Sequence, residues 1–103
     1  MPFFRCEHLI RKVQRDAAVH KVLTTLGRAP GNDIVLDDPA VGPTHANLMR
    51  KGDVYTLSLV DRSKEMELNG RRIRTAELSE GDEVLIGAWK LVWSLQPAPQ
   101  VTG

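Results

Sequence analysis

Residues 26–48 read LGRAPGNDIVLDDPAVGPTHANL, two short apolar runs set in a text rich in Gly, Pro, Asn and Asp. Ile34, Val35 and Leu36 follow Pro30-Gly31-Asn32-Asp33, and Ala46-Asn47-Leu48 follows Gly42-Pro43-Thr44-His45, so each run is entered through residues that favour turns. Both runs are too short for an ordinary helix and suit strands. Working outward, the same texture continues. Short alternating or continuously apolar runs occupy residues 3–12, 20–26, 53–60, 66–68, 71–74, 83–87 and 90–95, and no stretch sustains helical spacing. In residues 53–60, Tyr55, Leu57 and Leu59 fall on one face and Thr56 and Ser58 on the other. Asn69-Gly70 is a strong hairpin signal, because a two-residue primed turn needs positive φ at both positions. The only helical candidate is short, at residues 75–78. Many short strands with frequent turns predict an all-β sandwich or barrel.

Composition agrees with one globular domain. The chain has 103 residues, 42% hydrophobic and 26% charged, enough to bury a core without disulfides. Its single cysteine, Cys6, has no partner within the chain, which fits a reducing compartment and predicts a cytoplasmic protein. The opening MPFFRCEHLI lacks the apolar core of a signal peptide and the length to span a bilayer, so no membrane insertion is expected. A net charge of +1 gives no reason to expect nucleic acid, and the basic groups at Arg11, Lys12, Arg15, Arg71, Arg72 and Arg74 read as solvated faces. The ending QPAPQVTG is polar and proline-containing. The expected layout is a domain over residues 1–96 and a linker or tail over 97–103.

Several fragments in order carry a resemblance: Gly27-Arg28, Asn32-Asp33-Ile34 with Leu36 and Asp38, His45-Ala46, Asn69-Gly70, and Gly81-Asp82 followed by Ile86-Gly87. Together they resemble a forkhead-associated (FHA) domain over nearly the whole chain. The resemblance implies a β-sandwich of two antiparallel sheets with about eleven strands, whose loops at one end bind phosphothreonine peptides. A phosphate needs several N–H and O–H donors and a cation converging on it. By resemblance Arg28 matches the first phosphate ligand, and Gly27, Asn32 and His45 support the loops. Gly42, Thr44, Ser63, Lys64 and Asn69 complete the candidate phosphopeptide site.

The chain departs from the family pattern where the phosphate would sit. Gly42 replaces a serine and Pro43 an arginine, and the residues after Ser63 lack the family's Asn-Gly-Thr and are one fewer. Glu65 and Glu67 stand where neutral polar groups are expected. A hydrogen bond to a charged group is worth about 1.5–3 kcal/mol. Losing a hydroxyl and a cation therefore removes much of the roughly 8 kcal/mol of a micromolar site. The expected function is a protein-interaction module, signalling or scaffold, with a degenerate phosphate site that binds phosphothreonine weakly or not at all. Its partner would be a protein or peptide, phosphorylated or not. The alternative is a phosphothreonine reader acting downstream of a Ser/Thr kinase.

Other chemistries fare worse. No nucleophile-elbow motif frames Ser63, so no enzyme is expected. Cys6, His8, His20 and His45 lack paired ligand spacing, so neither a metal nor a cofactor is expected. Cys6 and His8 share a strand face and read as packing residues. Asp33, Asp37 and Asp38 do not match a calcium loop. The alternating Trp89, Leu91, Trp93 and Leu95 read as core in preference to a base-stacking platform.

Overall fold

The computed structural model describes residues 2–95; the expected tail at 97–103 lies outside the described residues. Its strands in chain order are β1 (Phe3–His8), β2 (Val13–Ala18), β3 (Leu23–Gly27), β4 (Ile34–Val35), β5 (Ala46–Lys51), β6 (Val54–Leu59), β7 (Glu67–Leu68), β8 (Arg71–Arg72), β9 (Thr75–Glu77), β10 (Glu83–Ile86) and β11 (Trp89–Ser94). They form two packed sheets, one ordered β2-β1-β11-β10-β7-β8 and the other β4-β3-β5-β6-β9. The fold is an all-β sandwich.

The pleat explains the packing. Tyr55 and Leu57 point into the sandwich while Thr56 and Ser58 stay half-buried on the outer face. Phe4, Cys6 and His8 from β1 and Trp89, Leu91 and Trp93 from β11 are buried in the same alternation. Trp93 joins the layers, with ring centroids 4.8 Å from Phe4 in its own sheet and 5.0 Å from Tyr55 in the other. Burying one such large apolar side chain stabilises the fold by roughly 1.5–3 kcal/mol. The tryptophans are therefore core. Burial also pushes the Cys6 thiol up to about 12, so it stays protonated and unreactive.

The structure corrects the expected strand layout in three places. The first run, residues 3–12, holds strand β1 and the turn after it: β1 ends at His8, and the chain reverses through Lys12 at φ 57° into β2, which begins at Val13. Strand β2, VQRDAA, is an edge strand with five of its six residues exposed, so it lacks the apolar alternation that marks a strand in sequence. Residues 75–77 are strand β9 and not a helix, because Thr75, Ala76 and Glu77 pair with Ser58, Leu57 and Thr56. The sheets are antiparallel except at β3 and β4, which run parallel with Leu26 opposite Ile34. The chain can return beside β3 so quickly because Asn32 folds the connecting loop onto Ala29 and Pro43.

A buried latch positions the loops. The Nδ1 of His8 accepts the amides of Ile10 (3.3 Å) and Arg11 (3.0 Å), so Nε2 carries the proton and donates to Asp38 at 3.2 Å. Asp38 also accepts from Ala40 and Ala88. Burial works to raise its pKa, but the bonds from His8, Ala40 and Ala88 outweigh that and hold the carboxyl below its ordinary value. Loop 36–45 is thereby fixed to β1 and to the β10–β11 turn.

Candidate functional site

Three loops meet at one end of the sandwich: 28–33 between β3 and β4, 36–45 between β4 and β5, and 60–66 between β6 and β7. His45 is their junction. Its amide donates to Leu26 and its carbonyl accepts from Val60 and Asp61. The ring is 1% exposed; Nδ1 accepts the Gly42 amide at 3.0 Å, which leaves Nε2–H to donate to the Glu65 carbonyl at 2.8 Å. Burial, the largest influence, lowers the His45 pKa, so the ring is neutral at pH 7.

The first two loops are braced by Asn32 and Gly27. Asn32 Nδ2 donates to Pro43 O at 2.6 Å and to Ala29 O at 2.9 Å. The loop passes so close to Gly27 that a Cβ there would overlap the Pro43 carbonyl oxygen and stand 2.8 Å from Asn32 Nδ2. Only glycine fits. Arg28 donates its amide to Gly42 O (2.9 Å) and Nε to Val41 O (3.1 Å). Its two terminal guanidinium nitrogens have no partner among the described residues and are free to meet an anion.

The rest of the candidate set is arranged differently from what its sequence suggested. The Gly42 amide, a possible phosphate donor from the sequence, is spent on His45 Nδ1. Ser63 gives both its hydroxyl (2.6 Å) and its amide (3.0 Å) to Asp61 Oδ1. Those two bonds, hydroxyl first, hold the Asp61 carboxyl below its ordinary value. Asp61 also fills the space that a residue-42 side chain would take: a Cβ on Gly42 would lie 2.5 Å from Asp61 Oδ2. Thr44 is exposed beside Pro43, and Lys64 lies half-buried in the third loop with its amide on Asp61 O.

Asn69 is not at this end. It is the first turn residue of the β7–β8 hairpin, at φ 52° with Gly70 at φ 84°, and its side chain is committed to Asp82 Oδ1 (3.0 Å) and the Glu83 amide (2.9 Å). The register runs β10 away from the loops, with Ile86 leading to Gly87 beside Asp38 and Val41, and Glu83 at the far end next to Asn69. Asn69 is therefore a turn residue at the Glu83 end of β10, with its side-chain amide engaged by Asp82 and Glu83.

Asp61 was missed. Its signal was the spacing Asp-x-Ser, which forms an Asx turn in which the carboxylate accepts the amide two residues on. Among the described residues no group of His, Cys, Asp and Glu is arranged to hold a metal, and no helix is long and apolar enough to cross a membrane.

A two-sheet sandwich with recognition loops gathered at one end defines a class of binding domains, and the comparisons place the chain within it. The FHA domain family matches residues 24–87, and the chain belongs to that family of protein-interaction modules. It is similar to an oxoglutarate dehydrogenase inhibitor of Corynebacterium jeikeium, 39% identical over 68% of this chain and 49% of that protein. It is also similar to the glycogen accumulation regulator GarA of Mycolicibacterium smegmatis, 34% identical over 78% of this chain and 51% of the relative. The chain thus spans about half the length of these relatives. Among solved structures, Mycobacterium tuberculosis EmbR in complex with a low-affinity phosphopeptide shares the fold, with TM-score 0.81 and 22% identity over 95% of this chain and 26% of that one.

Proposed function

We propose that this chain is an FHA-type interaction module, acting in the cytoplasm as a signalling or scaffold element, that holds its partner mainly through contacts independent of phosphate. Regulation of an enzyme by docking, with no catalysis by this chain, is consistent with the names of its relatives, an inhibitor and a regulator. One observation carries the weak-phosphate reading. The Asp61 carboxylate lies against Gly42 and takes both donors of Ser63, so a phosphate would meet an anion in place of a hydroxyl and two free N–H or O–H groups. With the Gly42 amide also engaged, few of the donors suggested by the family pattern remain open.

A second reading, a phosphothreonine reader downstream of a Ser/Thr kinase, is favoured by the unpartnered end of Arg28 and by the exposed Thr44 in the loop that Arg28 bonds. Titration of the isotope-labelled chain with degenerate phosphothreonine peptides, following the amides of Arg28, Thr44 and Ser63 by NMR, separates the two. Silence at millimolar peptide is the expected result, with Arg28→Ala behaving as the parent chain. Phosphate-dependent shifts that vanish in Arg28→Ala would establish the reader instead.

A further inference from the structure

Beside the third loop lies a feature that shares only Lys64 with the candidate phosphate site. Between β8 and β9 the chain crosses from one sheet to the other: Ile73 donates its amide to Met66 O (3.0 Å) while the Arg74 carbonyl accepts from Leu59 (2.6 Å). The crossing leaves a shallow groove of about 170 Å³ lined by Leu59, Arg62, Lys64, Glu65, Arg72, Ile73 and Arg74. Four cations face one carboxylate. Glu65 pairs with Arg72 at 3.2 Å, both well exposed, whereas Arg62, Lys64 and Arg74 have no ion pair among the described residues. On a chain of net charge +1, this is a local concentration of cations on backbone fixed to both sheets.

We infer that this groove binds an acidic, unphosphorylated segment of the partner protein, with Arg62, Lys64, Arg72 and Arg74 receiving its carboxylates and Leu59 and Ile73 its apolar side chains. This deepens the reading above by naming the partner's chemistry, and it rests on that reading in assigning the main attachment to contacts other than phosphate. A nucleic acid fits less well. Single strands are held by aromatic stacking, and Phe3, Phe4, Tyr55, Trp89 and Trp93 are all buried in the sandwich, none of them lining the groove. Carboxylates spaced along a strand match cations spaced along a groove, and the three guanidinium groups of Arg62, Arg72 and Arg74 allow bidentate pairing.

The test uses the full chain, isotope-labelled, and four probes: a dodecapeptide rich in Glu and Asp with interspersed Leu, the same peptide with Gln and Asn for the acids, a phosphothreonine peptide with neutral flanks, and a single-stranded DNA of about twelve nucleotides. The acidic peptide is expected to shift the amides of Arg62, Lys64, Ile73 and Arg74, more weakly at physiological than at low ionic strength. The Gln/Asn peptide is expected to leave them unmoved. Arg72→Glu with Arg74→Glu should weaken the acidic peptide at least about tenfold. Arg62→Gln with Arg74→Gln gives the same direction without reversing charge, should the first pair disturb the β8–β9 crossing. No shift at millimolar acidic peptide, indifference to both variants, or tighter binding of single-stranded DNA at the same amides would overturn the inference. Binding of the neutral-flanked phosphopeptide, lost in Arg28→Ala, would overturn the phosphate-independent reading without touching the groove.

Discussion

The loops that meet at His45 are built in opposite ways. Loops 28–33 and 36–45 are tied to each other by Asn32, by the Arg28 and Ala29 amides and by the close pass over Gly27. Loop 60–66 is instead knotted on itself, with Ser63 and Lys64 both bonded to Asp61, and it touches the histidine ring through one carbonyl, that of Glu65. The first pair forms a frame held by bonds that cross between loops. The third loop has turned its donors inward onto its own carboxylate. A binding frame and the donors within it are thus separable: the frame is maintained by packing and backbone bonds that stability alone demands, whereas the donors answer only to a ligand.

The largest expected effect attacks the frame. Gly27→Ala drives a Cβ into the Pro43 carbonyl, which is backbone and cannot swing aside, and should cost about 3 kcal/mol in chemical denaturation, near the upper end for overpacking. A loss below about 1 kcal/mol would show that loop 36–45 yields easily and that the frame is softer than its bonds suggest.

Next, the donors can be given back. Gly42→Ser, Pro43→Arg and Asp61→Ala together supply a hydroxyl and a cation, free Ser63 and remove the competing anion. Affinity for a phosphothreonine peptide should rise by about 2 kcal/mol, roughly thirtyfold, as read by calorimetry. Were the gain absent in a folded variant, the frame itself would be at fault.

The smallest effect is a pH slope. His45 has a lowered pKa in the fold, so as pH falls through its ordinary 6.5 the unfolded chain takes up the proton first, and stability declines below that pH while staying level above it. The protonated ring would also turn an N–H toward the Gly42 amide. Denaturation curves from pH 7.5 to 5.5 should show the decline in the parent chain, and His45→Gln should be less stable throughout but lack the slope.

How much of this could be read beforehand depends on the range of the interaction. Apolar alternation at Tyr55, Leu57 and Leu59 and the Asn69-Gly70 pair identified a strand and a hairpin because both are local: one follows from the pleat, the other from residues that accept positive φ. Strand β2 escaped because an edge strand facing water has no apolar face to announce it, and β9 because three residues carry too little pattern to be told from a helical turn. The same limit explains Asn69, whose family-like spacing was plain but whose side chain is turned by register toward Asp82. Gly42 and Pro43 could be seen as departures and Asp-x-Ser as an Asx turn, yet nothing local showed that Asp61 also fills the space beside Gly42.

Alone, the sequence determined the sandwich class and the family, since these reside in residue identities and short spacings. Only the tertiary structure decided which remaining donors are free and where Arg62, Arg72 and Arg74 come together. Hydrogen-bond partners and charge clusters are chosen by contacts between residues distant in the chain, which spacing does not encode.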